Sequence, residues 1–264
     1  MGEVTHRASF AERLRSGMPS TGTFLKTPAY QSVELIAQTG LDFLVLDAEH
    51  APFDPSQIDA CVLASHVVDL PLLVRVSRNA PDTILSALDM GAAGVFLPHI
   101  ITPDDARRAT AAARYIGGER GFSPSTRAGG YGSRGLRDYM EAADREAAVV
   151  LQIEDAAALA HLDAIAATGG VTGLFVGRAD LAASMGLDWN DQRLDEATAE
   201  TAKAAKRAGV ACGAYLADPA KVEIFRSWGI SFFVVGSDQS AMKNELSRIA
   251  NAFRKPARNQ DKAA

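Results

Sequence analysis

The chain shows a repeated alternation between short apolar runs and longer amphipathic stretches. Most of the apolar runs are hydrophobic at every position, which is typical of strands that are buried on both faces of a parallel sheet. We predict eight strands: Gly22–Leu25, Phe43–Asp47, Leu72–Val76, Gly94–Pro98, Val149–Ile153, Gly173–Gly177, Val210–Tyr215 and Phe232–Gly236.

The stretches between these runs have the periodicity of helices, with prolines such as Pro55 at their starts and glycines such as Gly209 after their ends. We predict eight helices: Ser32–Thr39, Pro55–Ser65, Asp82–Met90, Pro103–Tyr115, Ala156–Thr168, Asp195–Ala208, Pro219–Trp228 and Gln239–Phe253. This alternation predicts an α/β fold, a closed (β/α)8 TIM barrel. An open doubly wound sheet is the alternative, and it is weakened because no Gly-x-Gly-x-x-Gly follows the first strand.

Residues 1–254 are interpreted as a single barrel domain, and residues 255–264 as a polar C-terminal tail. The segment Gly117–Arg145 is longer than a usual connection and contains a glycine-rich stretch, so we expect a mobile lid or an interface loop. Arg127 and Arg134 in this segment could meet an anionic substrate tail, and the alternative is that both are solvated.

Charge and composition argue against nucleic-acid binding and against a membrane-spanning segment. The 264 residues include 27 Lys+Arg and 32 Asp+Glu, a formal net charge of −5, so the basic face that nucleic acid requires is not expected. The chain has no apolar stretch long enough for a membrane helix, and its start has charges where a signal peptide would be apolar. We therefore expect a cytoplasmic protein that acts on a small molecule, with Cys61 and Cys212 as buried thiols.

Two carboxylates at strand ends are candidate metal ligands. Gln152 and Glu154 are two residues apart and therefore share one face of their strand. Asp180 follows the next strand, so its carboxylate is expected beside Glu154. Carboxylates without His or Cys companions suit a hard divalent cation. The alternative is that Glu154 pairs with an arginine and Asp180 caps the following helix.

Three further side chains are candidates for chemistry. Arg75 interrupts an apolar run and needs an anion, either a substrate carboxylate or enolate or an internal acid. His50 follows the second strand and is either a base near neutral pH or a hydrogen-bonded loop histidine. Asp89 in the last turn of a predicted helix opposes the helix dipole, which a nearby imidazolium such as that of His50 could compensate. The alternative is an exposed acid that is merely tolerated.

Several of these stretches occur together in one known family. They are Leu46–Pro52, Val74–Arg75, Leu88–Ala92, Arg120–Ser123, Gln152–Glu154 and Val176–Gly186. In this order they resemble the HpcH/HpaI aldolase family of metal-dependent class II pyruvate aldolases. The resemblance covers the chain from about Gly22 to Phe253. The resemblance implies reversible aldol cleavage of a 4-hydroxy-2-oxo acid to pyruvate and an aldehyde, by a (β/α)8 barrel assembled as a homo-hexamer.

The resemblance also implies roles for individual residues. Glu154 and Asp180 would hold Mg, Mn or Co, and His50 would be the catalytic base, with Asp89 raising its basicity. Arg75 would stabilise the transition state. The pyruvate part of the substrate would contact Gln152, Gly177, Ala179 and Asp180.

One residue departs from the family pattern, and two other functions stay open. Arg178 stands where family members often have proline, and we expect it to add a cation beside the metal. The first alternative function is a lyase for acyl-CoA β-hydroxy thioesters, of the citrate or malyl-CoA lyase type, which would need a basic cleft for the CoA phosphates. The second is a non-catalytic barrel that only binds a 2-oxo acid.

Overall fold

The barrel predicted from the sequence is present in the computed structural model, which describes residues 10–254. Eight parallel strands pair in sequence order, and the last strand pairs with the first, so the sheet is closed and the open-sheet alternative is wrong. The strands are β1 (Ser20–Leu25), β2 (Phe43–Asp47), β3 (Leu72–Arg75), β4 (Gly94–Leu97), β5 (Ala148–Ile153), β6 (Gly173–Val176), β7 (Ala211–Tyr215) and β8 (Phe232–Ser237).

Helices follow the strands around the outside of the barrel. They are α1 (Phe10–Arg15), α2 (Tyr30–Ala37), α3 (Pro55–Val67), α4 (Pro81–Asp89), α5 (Pro103–Ala113), α6 (Leu136–Glu146), α7 (Leu162–Ala166), α8 (Arg178–Met185), α9 (Gln192–Ala208), α10 (Val222–Ser227) and α11 (Asp238–Arg254). The predictions lacked α1, α6 and α8. The predicted helices at 156–168 and 219–228 both begin as 3₁₀ turns, Ala156–His161 and Pro219–Lys221.

Aromatic rings fill the lower part of the barrel interior. The rings of Phe96 and Phe175 are 4.7 Å apart between centroids, and those of Phe175 and Phe232 are 5.9 Å apart. Gly213 provides space for the Phe232 ring, because a Cβ at that position would overlap it. Phe10 of α1 packs on the barrel core. Together these residues form an apolar interior layer, and the polar groups of the barrel mouth lie above it at the carboxyl ends of the strands.

The alternation of side chains places polar groups directly above this layer. Along β2, Phe43 and Val45 belong to the interior cluster, so Asp47 two residues later also points inward. The pairing of β2 with β3 sets Asp47 opposite Arg75. Strand register therefore brings a carboxylate and a guanidinium to the same level of the barrel.

The long segment between α5 and β5 lies away from the barrel mouth. Helices that follow parallel strands return to the amino ends of the sheet, so this connection starts and finishes at that end. Its Ala128 amide donates to the Asp89 carbonyl at 3.3 Å, and Arg127 pairs with Asp59 at 2.8 Å. The expectation of a lid over this chain's own mouth is therefore wrong.

Cys61 and Cys212 are both buried, as predicted. Burial raises the pKa of Cys61 to about 11 and that of Cys212 to about 12, so neither thiol is ionised at neutral pH. Within residues 10–254, no helix has both the length and the apolar composition to cross a lipid bilayer. The predicted polar tail, 255–264, lies outside the described residues.

Candidate active site

A cavity of about 320 Å³ opens at the carboxyl ends of the strands. The structure brings six residues predicted from the sequence to its wall: His50, Arg75, Gln152, Gly177, Ala179 and Asp180. A larger cavity of about 700 Å³ lies at the amino ends, lined by residues such as Phe10 and Pro71. Because chemistry in (β/α)8 barrels sits at the carboxyl ends, the smaller cavity is the candidate active site.

Arg75 is held by an internal acid, which was one of its two predicted partners. Its Nε donates to Asp47 Oδ1 at 2.9 Å, and its Nη2 lies 2.7 Å from Asp47 Oδ2. The guanidinium stacks over Phe24 at 4.6 Å, and Lys26 Nζ lies 3.1 Å from the same carboxylate. Among the described residues, no side-chain hydrogen bond or ion pair uses Nη1 of Arg75. That edge of the guanidinium remains available to a ligand in the cavity.

Asp47 is ionised in this arrangement. Its burial alone would raise the pKa, but the hydrogen bonds and charge of Arg75, with the His50 amide and Lys26, bring the pKa below its usual value. The carboxylate is therefore charged at neutral pH. It also fixes the direction in which the Arg75 guanidinium points.

Glu154 lies at the end of β5 and is 4% exposed. Its Oε1 accepts the His99 amide at 2.7 Å, and its Oε2 accepts a hydrogen bond from Gln152 Nε2. The imidazole of His99 lies between two carboxylates, with Nδ1 3.3 Å from Glu154 Oε1 and Nε2 3.1 Å from Glu49 Oε1. The alternative that Glu154 pairs with an arginine is therefore not what the structure shows.

The electrostatics around Glu154 suit a divalent cation. Burial raises the pKa of Glu154 and outweighs the opposite effect of the His99 amide and imidazole, while the charges of Glu49 and Asp180 raise it further. Among residues 10–254, two buried acceptor atoms, Glu49 Oε2 and Gln152 Oε1, have no hydrogen-bond donor, although Arg75 Nε lies 3.4 Å from Glu49 Oε2 as an ion pair. Carboxylate and amide oxygens that lack donors are what hard divalent cations bind. The residues present therefore fit the metal that the sequence predicts.

His99 and Glu49 were missed by the sequence predictions. His99 follows the apolar run of β4 after a single proline, so a polar residue directly after a strand was the signal that could have identified it. Its φ of 56° turns its amide toward Glu154, and a left-handed conformation of this kind cannot be predicted from residue type alone for a histidine.

Asp180 and Gly177 shape the opposite wall. Gly177 is the N-cap of α8 and Asp180 lies in the first turn, so the predicted alternative of Asp180 as the capping residue is wrong. Any side chain at Gly177 would crowd this wall, because a Cβ there would lie 2.8 Å from Gln152 Nε2 and 3.0 Å from Glu154 Oε2. A glycine at this point keeps open the approach from the cavity to the glutamate.

His50 lies at the rim of the cavity with 53% of its side chain exposed. Its Nε2 is 3.6 Å from Glu49 Oε2, and its amide donates to Asp47 Oδ1 at 3.1 Å. The Asp47 carboxylate therefore ties the backbone of His50 to the position of Arg75. Both predicted roles of His50, a base or a hydrogen-bonded loop residue, are compatible with this geometry.

Asp89 lies at the other end of the molecule. Helix α4 returns from β3 to the amino end of β4, and Asp89 is its last residue. Its Oδ1 accepts from Arg120 Nη2 at 2.7 Å, and Arg120 itself stacks on Tyr115. The expectation that Asp89 lies beside His50 and raises its basicity is therefore wrong within one chain. The two residues lie at opposite ends of the barrel.

Arg178 does not add a cation to the cavity. Its guanidinium points to α9, where Nη1 donates to Thr198 Oγ1 and Nη2 to Asp195 Oδ1, each at 2.7 Å. The rings of Trp189 and Phe225 lie beside it at 5.7 and 5.2 Å. The prediction that Arg178 adds a cation beside the metal is wrong. Its buried guanidinium binds the Asp195 carboxylate and the Thr198 hydroxyl on the neighbouring helix instead.

The family model for HpcH/HpaI aldolase/citrate lyase matches residues 20–245, which is nearly the whole barrel. The chain belongs to this family. The resemblance inferred from the sequence motifs is thereby confirmed, and the cavity described above lies within the matched residues.

Relatives within the HpcH/HpaI family are similar over most of their length. A hydroxypyruvate/pyruvate aldolase from Paraburkholderia phytofirmans is 36% identical over 236 residues, or 86% of this chain and 90% of that one. A 5-keto-4-deoxy-D-glucarate aldolase from Salmonella paratyphi A is 35% identical, covering 85% and 88%. The crystal structure of a family protein from Burkholderia cenocepacia superimposes with a TM-score of 0.88 at 35% identity, over 94% and 99% of the two chains.

The buried pair of Arg75 and Asp47 should contribute to the stability of this family member. Asp47→Asn removes the charge that faces the guanidinium, so we expect the free energy of unfolding at pH 7, measured in urea, to fall by about 3–5 kcal/mol. Because the pKa of Asp47 is lowered in the folded state, its contribution is full above the ordinary aspartate pKa of about 3.9 and is lost as pH falls through the folded value.

The difference in stability between wild type and Asp47→Asn should accordingly shrink below about pH 4. Asp82→Asn is the control, because Asp82 pairs with Arg78 on the surface and both side chains are 67% exposed. We expect little change from that variant. An Asp47→Asn variant as stable as wild type at pH 7 would contradict the assignment.

Proposed function

We propose that the protein is a divalent-metal-dependent aldolase that reversibly cleaves a 4-hydroxy-2-oxo acid to pyruvate and an aldehyde. The observation that carries the proposal is the convergence of His50, Arg75 and Gln152 on one cavity, beside the buried carboxylate of Glu154. Family relatives that carry the name aldolase support the same reaction class.

The proposed metal ligands are Glu154 and Asp180, with Mg, Mn or Co as the cation. Support comes from the buried negative charge at Glu154, which is next to two further carboxylates and has no arginine partner. A divalent cation bound there would supply a Lewis acid for the carboxylate and keto oxygens of the 2-oxo acid, which lowers the cost of forming an enolate.

The chain's own residues perform the remaining steps. His50 takes the proton of the C4 hydroxyl as the bond between C3 and C4 breaks, and this releases the aldehyde and leaves the electron pair on the pyruvate enolate. Arg75 stabilises the enolate charge through the edge of its guanidinium that Asp47 leaves open. A proton added at C3 then completes pyruvate. Gln152 and the backbone of Gly177 and Ala179 position the pyruvate part.

The acyl-CoA lyase alternative has less support. CoA phosphates require free cationic groups near the cavity. Lys26 and Arg75, which both line it, are paired with Asp47, and the guanidinium of Arg178 is bound to α9. Each of these cations along the described cavity wall is therefore paired with an acid, and what remains for a ligand is the open edge of Arg75. The same wall favours a small carboxylate substrate.

Metal-dependent enolisation of pyruvate tests the proposal and separates an aldolase from a binding-only barrel. In D2O, NMR should show deuterium entering the pyruvate methyl group when the protein carries Mg, Mn or Co. Treatment with a chelator should abolish the exchange, and adding the metal back should restore it. Equal exchange in metal-free protein would show that the reaction does not depend on a metal. Failure of both exchange and cleavage with every metal would show that the protein is not an aldolase.

The proposed base is tested by His50→Ala. Turnover of a 4-hydroxy-2-oxo acid should fall by roughly 10²- to 10⁴-fold, because proton transfer at the C4 hydroxyl is lost. Metal affinity, measured by calorimetry, should be unchanged. His161→Ala is the matched control, since His161 is exposed and lies outside the cavity. If His50→Ala turned over at the wild-type rate, His50 would have no part in the reaction.

We also propose that the protein assembles as a homo-hexamer and that it is cytoplasmic. The apolar face of helix α11 supports the assembly. Helix α11 spans 17 residues and none of them is buried. Its large apolar side chains recur every three or four positions and so share one face: Met242, Leu246, Ile249 and Phe253, which are 59%, 59%, 40% and 88% exposed. An apolar face of this kind marks a contact surface, and residues 255–264 contain no large apolar residue that could cover it.

Leu246→Glu combined with Phe253→Glu should break this assembly, because it puts charges into the apolar face. Light scattering after size exclusion should give wild type about six times the chain mass of 27.9 kDa, and the variant a smaller mass. Asn251→Glu, on the opposite face of α11, should leave the mass unchanged. A wild-type mass equal to one chain would contradict self-association.

A further inference from the structure

His99 adopts a strained backbone conformation beside Glu154. Its φ is 56°, in the left-handed region that residues other than glycine rarely adopt, and such conformations persist where the surrounding structure requires them. The turn points the His99 amide at Glu154 Oε1, 2.7 Å away, and places the ring beside the same carboxylate. In this strained conformation, both the amide and the ring of His99 contact Glu154.

The ring is not needed to hold Glu154 in place. The His99 amide already fixes one carboxylate oxygen, and Gln152 donates to the other. The imidazole nonetheless lies with Nδ1 3.3 Å from Glu154 Oε1. Two donors at right angles around an ion, with bonds of about 2.1 Å, lie about 3.0 Å apart. The spacing of Nδ1 and Glu154 Oε1 is close to that value.

The second ring nitrogen has the partner that a metal-binding histidine needs. Nε2 lies 3.1 Å from Glu49 Oε1, and the Glu49 side chain is only 8% exposed. Histidine ligands almost always donate their other N–H to a carboxylate, a backbone carbonyl or a water, which fixes the tautomer and orients the ring. One atom from each of Glu49, His99 and Glu154 lies within 4.8 Å of the others.

We propose that His99 is a further protein ligand of the cation held by Glu154, with Nδ1 facing the ion and Nε2 donating to Glu49. The inference rests on the metal dependence of the proposed function and adds a nitrogen donor on the Glu49 side of Glu154; among the described residues, Asp180 is not in the group whose ligand atoms all lie within 4.8 Å of one another. Imidazole favours cobalt and zinc over magnesium, which prefers oxygen. The site should accordingly select a transition metal.

The affinity test compares cobalt with magnesium. His99→Asn removes the imidazole but keeps a residue type that tolerates positive φ, so the turn is retained. Calorimetry on the metal-free full chain should show cobalt affinity falling by about 10- to 100-fold, with a much smaller change for magnesium. His161→Asn, an exposed histidine outside the cavity, should change neither affinity. An equal loss for both metals would reduce His99 to a positioning residue and overturn the ligand assignment.

A spectroscopic test needs no variant. Wild-type protein loaded with Mn²⁺ should show nitrogen coupling in pulsed electron paramagnetic resonance, and the coupling should change to the ¹⁵N pattern when histidine is ¹⁵N-labelled. The coupling should be lost in His99→Asn and kept in His50→Ala. Absence of nitrogen coupling in wild type, or its persistence in His99→Asn, would overturn the inference.

Neither measurement depends on turnover. If the protein shows nitrogen coupling from His99 but does not enolise pyruvate, His99 is a metal ligand and the proposed aldolase activity is wrong. Metal-dependent exchange without the nitrogen coupling would keep the aldolase and reject His99 as a ligand. The two proposals therefore fail separately.

Discussion

Negative charge that the protein itself does not neutralise is the constraint on which the rest of the mouth depends. Glu154 is buried at the top of β5, and burial together with Glu49 and Asp180 raises the pKa of its carboxyl group. Among residues 10–254, an amide, an imidazole and a glutamine contact this carboxylate, and no arginine or lysine pairs with it. A site of this kind is stabilised by binding a cation, so its chemistry follows from its electrostatics.

Positive charge is kept a short distance away by a second buried carboxylate. Asp47 binds both Arg75 and Lys26, and its lowered pKa keeps the pair ionised. The interior aromatic layer below, which includes the Phe24 ring under the guanidinium, prevents either charge from moving deeper into the barrel. Two carboxylates with opposite pKa shifts therefore separate the cation site from the anion site.

Residues in strands or directly after them were predictable, and the conformations of the loops were not. A strand alternates its side chains, so the sequence predicts that Gln152 and Glu154 share one face; in the structure Gln152 follows Val150, and Arg75 follows Leu73, of the interior cluster. The position of His99 depends on a positive φ that only the folded neighbourhood imposes. The predicted contact between Asp89 and His50 is wrong within one chain because a helix that leaves one end of the barrel finishes at the other.

Arg178 shows a further limit of reasoning from motifs. Arg178 lines the cavity together with Gly177 and Ala179, yet its guanidinium is bound to α9. Since successive residues of a helix point about 100° apart, closeness in sequence to a metal ligand does not put a side chain near the metal. The long guanidinium then reaches Thr198 and Asp195 on α9, where its charge and donors are satisfied. A cation in the motif therefore stabilises helix packing outside the barrel, and its charge is paired with Asp195 rather than with the carboxylates at Glu154.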